Sequence, residues 1–193
     1  MSWIHSSKKK TGGVNHASTM EILARFIDER ELLLRLALLI TGDIKAAELS
    51  VFRACRMATD RANLLPTRER LTDWVRWMTI KAAIANNLHE IAPCAPKYVN
   101  QTCDHSEHLL HGNESKLRDF RDSLFLVDPE IVITELDPLA RAVAILRTTA
   151  RASILDCTLQ LRVSPDTVLA ANCHAMTWIA EQRDRSETGV VAT

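Results

Sequence analysis

The sequence has few residues that interrupt helices and no long apolar run. It contains five glycines and six prolines in 193 residues, and leucine and alanine are frequent, so the composition predicts a mostly helical chain. Because no apolar run is long enough to cross a bilayer, we expect no membrane insertion. The amino terminus, MSWIHSSKKKTGG, places its lysines after a very short apolar start, which is the wrong order for a secretory signal. These absences predict a cytoplasmic protein.

The motifs of common enzyme classes are also missing. We find no nucleophile elbow, phosphate-binding loop, dinucleotide-binding glycine pattern or H-E-x-x-H zinc motif, so we predict no catalytic residues, no cofactor and no enzymatic activity. The five cysteines are odd in number and irregularly spaced, which fits reduced thiols better than a disulfide framework. The 24 basic and 24 acidic side chains cancel. This balance does not exclude a local basic patch, but it gives no support to nucleic-acid binding.

Apolar residues at helical spacing predict a three-helix bundle at 18–91, after a flexible tail at 1–17. Ser18 and Glu21 have the spacing of a capping box, and they open a helix that we expect to end at Thr41, before Gly42. A second helix is predicted from Ile44 to about Ala58, and a third from Leu71 to Ile91.

Residues 92–116 have the composition of a linker, because prolines, Asn, Gly and Ser replace the apolar periodicity. This segment contains side chains that can bind zinc. Their spacing matches no closed structural-zinc pattern, so we predict an unliganded polar linker and keep a metal site as the alternative. The side chains concerned are Cys94, Cys103, His105, His108 and His111.

The carboxyl-terminal part, 117–185, predicts a helix-turn-helix unit, followed by a tail at 186–193. Asp137-Pro138 can begin one helix, and a short helix is expected at 153–161. Arg162-Val163 then turns the chain, and Ser164-Pro165 can begin a longer helix. A short helix, a tight turn and a longer helix form the helix-turn-helix arrangement, whose second helix enters the major groove in DNA-binding proteins. With the first bundle, this unit predicts an all-α fold.

Both predicted helical units resemble one bacterial family. The carboxyl-terminal unit resembles the promoter-reading domain, region 4, of the extracytoplasmic-function RNA polymerase sigma factors, and the bundle resembles their region 2, which makes the chain look like a divergent or degenerate member. The residues of region 4 that match are Leu136, Pro138, Arg141, Ala142, Val143, Leu146, Arg147, Leu161, Val163, Ser164, Thr167, Val168 and Ala175. Those of region 2 are the stretch 33–43 with its Gly-Asp end, and Glu48, Val51, Ala58, Trp74, Ala83 and Ile84.

The resemblance implies a bacterial regulator of transcription initiation that binds RNA polymerase core and promoter DNA. The residues it implies as DNA contacts are Arg162, Ser164, Thr167 and His174. The positions it implies as contacts to polymerase or another partner protein are Glu48, Phe52 and Arg53, and the apolar face of the last helix adds Leu169 and Cys173 as candidate contacts to a partner protein.

The sequence also departs from the family at these positions. Arg53 reverses the charge where the family attracts a basic partner, and from Ser164 to Trp178 only Asp166 carries a formal charge. The exposed face expected there, Leu169, Ala170 and Cys173, is suited to another protein. Two hypotheses therefore stay open: a working sigma factor, or a degenerate adaptor that contacts proteins such as an anti-sigma factor and does not bind promoter DNA. A third is an unrelated helical bundle with a coincidental likeness.

Overall fold

The fold is all-α, as the composition predicts. A computed structural model describes residues 16–60, 68–99, 101 and 114–187, with the backbone alone at 114–117 and 186–187. Every regular element in these ranges is helical. Within the same ranges, no helix has the length and apolarity needed to span a membrane.

Four α-helices form the first part of the chain: α1 Thr19–Asp28, α2 Arg30–Thr41, α3 Ile44–Asp60 and α4 Leu71–Ile91. The capping box at Ser18, the stop at Gly42 and the bounds of α4 are as predicted. The single helix predicted from Ser18 to Thr41 is wrong, because the chain breaks at Glu29 into α1 and α2. A long-range contact accompanies the break: Arg76 on α4 donates from Nε and Nη2 to the Glu29 carboxylate at 2.7 and 3.2 Å.

The second part contains five α-helices: α5 Glu114–Leu126, α6 Pro129–Glu135, α7 Pro138–Thr148, α8 Ile154–Leu161 and α9 Pro165–Glu187. Asp137 caps α7 by accepting from the backbone N–H groups of Leu139 and Ala140. Ser153 caps α8, and its partner in the capping box is Asp156. The helix starts predicted at Asp137-Pro138 and at residue 153 are therefore confirmed.

Parts of the segment predicted as a linker, 92–116, are helical. Ala92–Tyr98 forms a 3-10 helix that packs against α4, α7 and α9, and α5 already begins at Glu114. Cys94 and Tyr98 are buried in this packing. The two prolines shape a short docked helix here instead of marking a solvated connection.

The helix α7 lies at the centre of the molecule. Every residue from Leu139 to Thr148 is buried, because α7 packs against α2 and α4 of the first part and α9 of the second. A helix that is enclosed on all faces belongs to a core. Helices from both parts thus contribute to one core cluster, while the division into the predicted ranges 18–91 and 117–185 stays a prediction.

Two arginines fasten the corner between α5, α6 and α7 to α2. Arg35 on α2 donates to the Val127 carbonyl at 2.7 Å, and Arg141 on α7 donates to the carbonyls of Ile133 and Leu136 at 2.7 and 2.9 Å. Gly42, at φ +70°, ends α2 so close to Arg141 that a Cβ there would lie 3.1 Å from Nη2. Burial lowers the pKa of Arg141. The guanidinium is held at this corner by carbonyls rather than by an acidic partner.

Candidate partner-binding surfaces

The helix-turn-helix unit consists of α8, a three-residue turn and α9. Arg162 ends α8 in the left-handed conformation at φ +59°, which gives the tight change of direction. Ser164 then caps α9: its Oγ accepts from the Thr167 backbone N–H at 3.2 Å and lies 2.8 Å from Thr167 Oγ1. The local geometry is that of the predicted turn.

The exposed positions on the first half of α9 carry little charge. Pro165, Asp166, His174 and Thr177 are exposed, and the first basic residue after Arg162 is Arg183. Ala170, predicted to be exposed, is buried at 4% exposure. The side of α9 that could face a ligand therefore has one carboxylate and no Lys or Arg.

The four residues predicted as DNA contacts have different surroundings. Arg162 is exposed. Ser164 and Thr167 are engaged with each other in the cap, and Thr167 is buried at 5% exposure. His174 is exposed, but its ring lies 6.1 Å from the ring of Tyr98 on the 3-10 helix. Of the four predicted contacts, Arg162, Ser164 and His174 are exposed and Thr167 is buried.

The thiols also differ from the prediction of reduced cysteines. Cys173 on α9 is disulfide-bonded, whereas Cys55, Cys94 and Cys157 are free. Burial raises the pKa of Cys157 to about 12, so this thiol is protonated and unreactive at neutral pH. Cys173, expected as a partner contact, is thus covalently tied, and Leu169 beside it is only partly exposed.

Of the five candidate metal ligands, Cys94 is the one that lies within the described residues. Cys94 is buried on the 3-10 helix, where its Sγ lies 3.3 Å from the Glu90 carbonyl. Cys103, His105, His108 and His111 lie outside the described residues. Among the residues that are described, no three His, Cys, Asp or Glu side chains are grouped as metal ligands.

A polar groove of about 520 Å³ lies between the 3-10 helix, the start of α7 and α9. The Tyr98 hydroxyl donates to Asp137 Oδ2 at 2.5 Å, and Lys97 Nζ lies 3.9 Å from the same oxygen. Burial, and then the bond to Asp137, raise the pKa of Tyr98. The one signal of this contact in the sequence is a large aromatic residue at the end of a polar, proline-containing segment. Each polar group named here has a partner, so we interpret these contacts as stabilising the packing of the 3-10 helix against the start of α7.

A second groove, here called the apolar groove, lies between α1, α2 and α3 and has a volume of about 480 Å³. Its walls are Leu23, Phe26, Ile27, Arg30, Leu34, Glu48, Val51, Phe52 and Cys55. Phe52 is 61% exposed and Ile27 is 74% exposed. Two of the predicted partner contacts, Glu48 and Phe52, therefore lie together on one apolar surface.

Arg53, the third predicted contact on α3, turns away from the apolar groove. Its Nη1 donates to Asn86 Oδ1 on α4, and Asn86 donates in turn to Ser50 Oγ at 2.7 Å. This chain of polar contacts joins α3 to α4. Arg53 therefore stabilises the packing of two helices. The positive charge that it has in place of the family's acidic residue does not line the apolar groove.

A second apolar surface lies on α8. Leu155 and Leu159, four residues apart, project from one side of the helix and are 64% and 67% exposed. The opposite side of α8 buries Cys157 and Leu161. We call Leu155 and Leu159 the leucine pair. Isolated exposed leucines are common on protein surfaces, but two on one helix face form a small apolar patch.

In the residues that the structure describes, these features define an all-helical protein with a helix-turn-helix unit and two exposed apolar surfaces. Comparison with known proteins found no family model, no curated protein and no solved structure that matches the chain.

Proposed function

We propose that the chain is a degenerate sigma-like protein of bacterial transcription regulation, which acts as an adaptor through protein contacts and does not read promoter DNA. The observation that carries this proposal is the charge of α9. Its exposed first half presents Asp166 and His174 but no Lys or Arg. Phosphate contacts from Lys and Arg supply most of the affinity of proteins for DNA, and a carboxylate at this position opposes it.

The hydroxyl groups near the turn do not replace the missing cations. Ser164 and Thr167 could donate hydrogen bonds to phosphates or base edges, but they are bonded to each other at 2.8 Å. Arg162 is then the one basic group at the turn. A single cation gives weak DNA binding, and the affinity changes little with salt concentration.

The leucine pair supplies the surface for a protein partner in this proposal. Leu155 and Leu159 lie on the helix that precedes α9, so a partner that recognised the helix-turn-helix unit would cover them. Burying a leucine side chain contributes about 1.5–3 kcal/mol, so a partner that covers both leucines would gain affinity from each. An anti-sigma factor is the kind of partner that the resemblance suggests.

The working sigma factor is the second candidate, and the order of the family-like segments along both halves of the chain favours it. The two candidates differ in their partners. A working factor binds RNA polymerase core and promoter DNA, with an affinity that falls steeply as salt rises. The adaptor binds a regulatory protein and leaves DNA unbound.

The test combines affinity capture from the native host with DNA-binding measurements. The tagged chain and the variant Leu155→Glu/Leu159→Glu are compared by mass spectrometry, and promoter DNA is titrated with the chain and core polymerase at several salt concentrations. The adaptor predicts capture of an anti-sigma or other regulatory protein that the variant loses, and no promoter binding. Recovery of core polymerase with salt-dependent promoter binding would refute it in favour of the working factor.

A further inference from the structure

The apolar groove on α1, α2 and α3 is an unpartnered surface that the proposed function does not use. Seven of its nine lining residues are apolar. Met20, at 74% exposure, lies three and seven residues before Leu23 and Ile27 and continues the same face of α1. The surface is therefore a contiguous strip from three helices and not a single exposed side chain.

The size of this strip is sufficient for a specific interface. An aromatic side chain buries about 150–250 Å², so Phe52 at 61% exposure presents roughly 100–150 Å². With Ile27 and Met20, each more exposed than Phe52, the apolar area is on the order of 400 Å², which is the size that marks interaction sites on monomers. A standard interface covers about 800 Å² per partner and is about 56–65% apolar, so the strip would supply most of the apolar area of one.

The groove has one positive and one negative side chain, so the grooves of two copies have complementary charges. Arg30 on α2 and Glu48 on α3 both line it, and neither forms an ion pair with another described side chain. A twofold axis through the groove exchanges its two walls between copies, so Arg30 of one copy faces Glu48 of the other, twice. The 24 positive and 24 negative groups of the chain also cancel, so no long-range repulsion separates two copies.

We propose that the chain forms a twofold homodimer through the apolar groove, with Phe52 of each copy packed in the groove of the other and two Arg30–Glu48 pairs at the rim. This inference goes beyond the proposed function and does not depend on it. The leucine pair on α8 lies outside the interface and stays available to a partner.

The first measurement is the mass of the full chain by sedimentation equilibrium, at concentrations from about 1 to about 300 μM. The expected mass rises from one chain, 21.7 kDa, to two. Phe52→Glu is expected to weaken the dimer about tenfold or more, because it places a charge in the apolar centre. Leu159→Glu is the matched control: it makes the same kind of change at an equally exposed position on α8, and it should leave the dimer unchanged.

A charge exchange tests the geometry of the rim. Arg30→Glu alone and Glu48→Arg alone each produce two repulsive pairs in a homodimer, so each variant should associate about three- to tenfold more weakly. A mixture of the two variants forms heterodimers in which both pairs attract again, and its dimer affinity should return to that of the unmodified chain.

Several outcomes overturn the proposal. A chain that stays monomeric over the whole range has a groove for something else, such as a segment of another protein. A dimer that survives Phe52→Glu uses a different face. Charge variants that associate no better when mixed than alone show that Arg30 and Glu48 do not meet across the interface. Circular dichroism of each variant confirms that the helices are intact, as the exposure of all four positions predicts.

Discussion

Tyr98 offers a direct optical test of the packing of the 3-10 helix, because it is the only tyrosine in the chain. Its side chain is 3% exposed and its hydroxyl donates to Asp137 Oδ2 at 2.5 Å. Ionising this phenol would place a second negative charge beside the carboxylate in a buried site. Burial and the bond to Asp137 therefore raise the pKa of Tyr98 well above its usual value of 10.0.

The pH dependence of stability follows from the sign of this shift. Because the folded pKa lies above the unfolded value, the contribution of Tyr98 to stability is complete below pH 10 and is lost as the pH rises further. In an alkaline titration, tyrosinate absorbance near 295 nm should appear only together with loss of the helical circular dichroism signal. Tyrosinate that forms with a pKa near 10 while the helices persist would refute the docked position of the 3-10 helix.

Two variants separate the causes. Tyr98→Phe removes a hydrogen bond to a charged acceptor, a change worth about 1.5–3 kcal/mol, which should lower the melting temperature by roughly 3–10 °C for a chain of this size. Asp137→Asn keeps a good helix cap but removes the carboxylate charge. It should lower the pKa of Tyr98 while leaving it above 10, because burial is the larger cause.

Three further predictions concern stability. Arg141→Met leaves one buried and one partly buried carbonyl without their donor and should cost about 2–4 kcal/mol in urea unfolding; a loss as small as that of the exposed control Arg56→Met would contradict the role of Arg141 at this corner. Gly42→Ala should cost about 1 kcal/mol, since the left-handed conformation costs Ala about 1–2 kcal/mol and the stiffer unfolded chain returns part of it; an unchanged or raised unfolding midpoint would contradict this account. The side-chain and backbone bonds from Ser153 lower the pKa of Asp156 below its usual 3.8, so stability from this group is present above pH 3.8 and lost as the pH falls through the lower folded pKa. Asp156→Asn should therefore lower the melting temperature at pH 7 and have progressively less effect below pH 3.8; an effect that does not shrink in acid would exclude this cap as its cause.

Helix ends that depend on neighbouring residues could be predicted from the sequence. The caps at Ser18, Asp137 and Ser164 each bond a backbone group two or three residues away, so the residues that make the contact stand side by side in the sequence. Gly42 is a similar case, because its left-handed φ of +70° is a property of one residue. For this reason α7, α8 and the start of α9 lie where the sequence predicts them.

The features that the sequence did not predict depend on partners far along the chain. Glu29 has no glycine or proline beside it, and the side chain that contacts it at the break, Arg76, is on α4. Tyr98 lies in a segment with the composition of a linker, and the carboxylate that binds it is 39 residues away. The burial of Ala170 depends in the same way on which face of α9 meets the other helices.

The same distinction applies to the candidate surfaces. The resemblance pointed to Glu48 and Phe52, and both lie on the apolar groove, but Arg53, the next residue, points to α4 instead. A helix turns by about 100° at each residue, so adjacent residues face different neighbours. The exposure of the leucine pair follows from the spacing that buries Cys157 and Leu161 on the other side of α8.

The central position of α7 has a consequence for dividing the chain. A break between residues 99 and 114 would separate α1–α4 and the 3-10 helix from α5–α9, and it would uncover the apolar faces that α2 and α4 turn toward α7. Neither fragment could then bury these faces alone, whereas two fragments together could rebuild the core. The two pieces are therefore suited to fragment complementation. One half of a split reporter would be attached to each piece, and the reporter would become active when α7 packs again against α2 and α4.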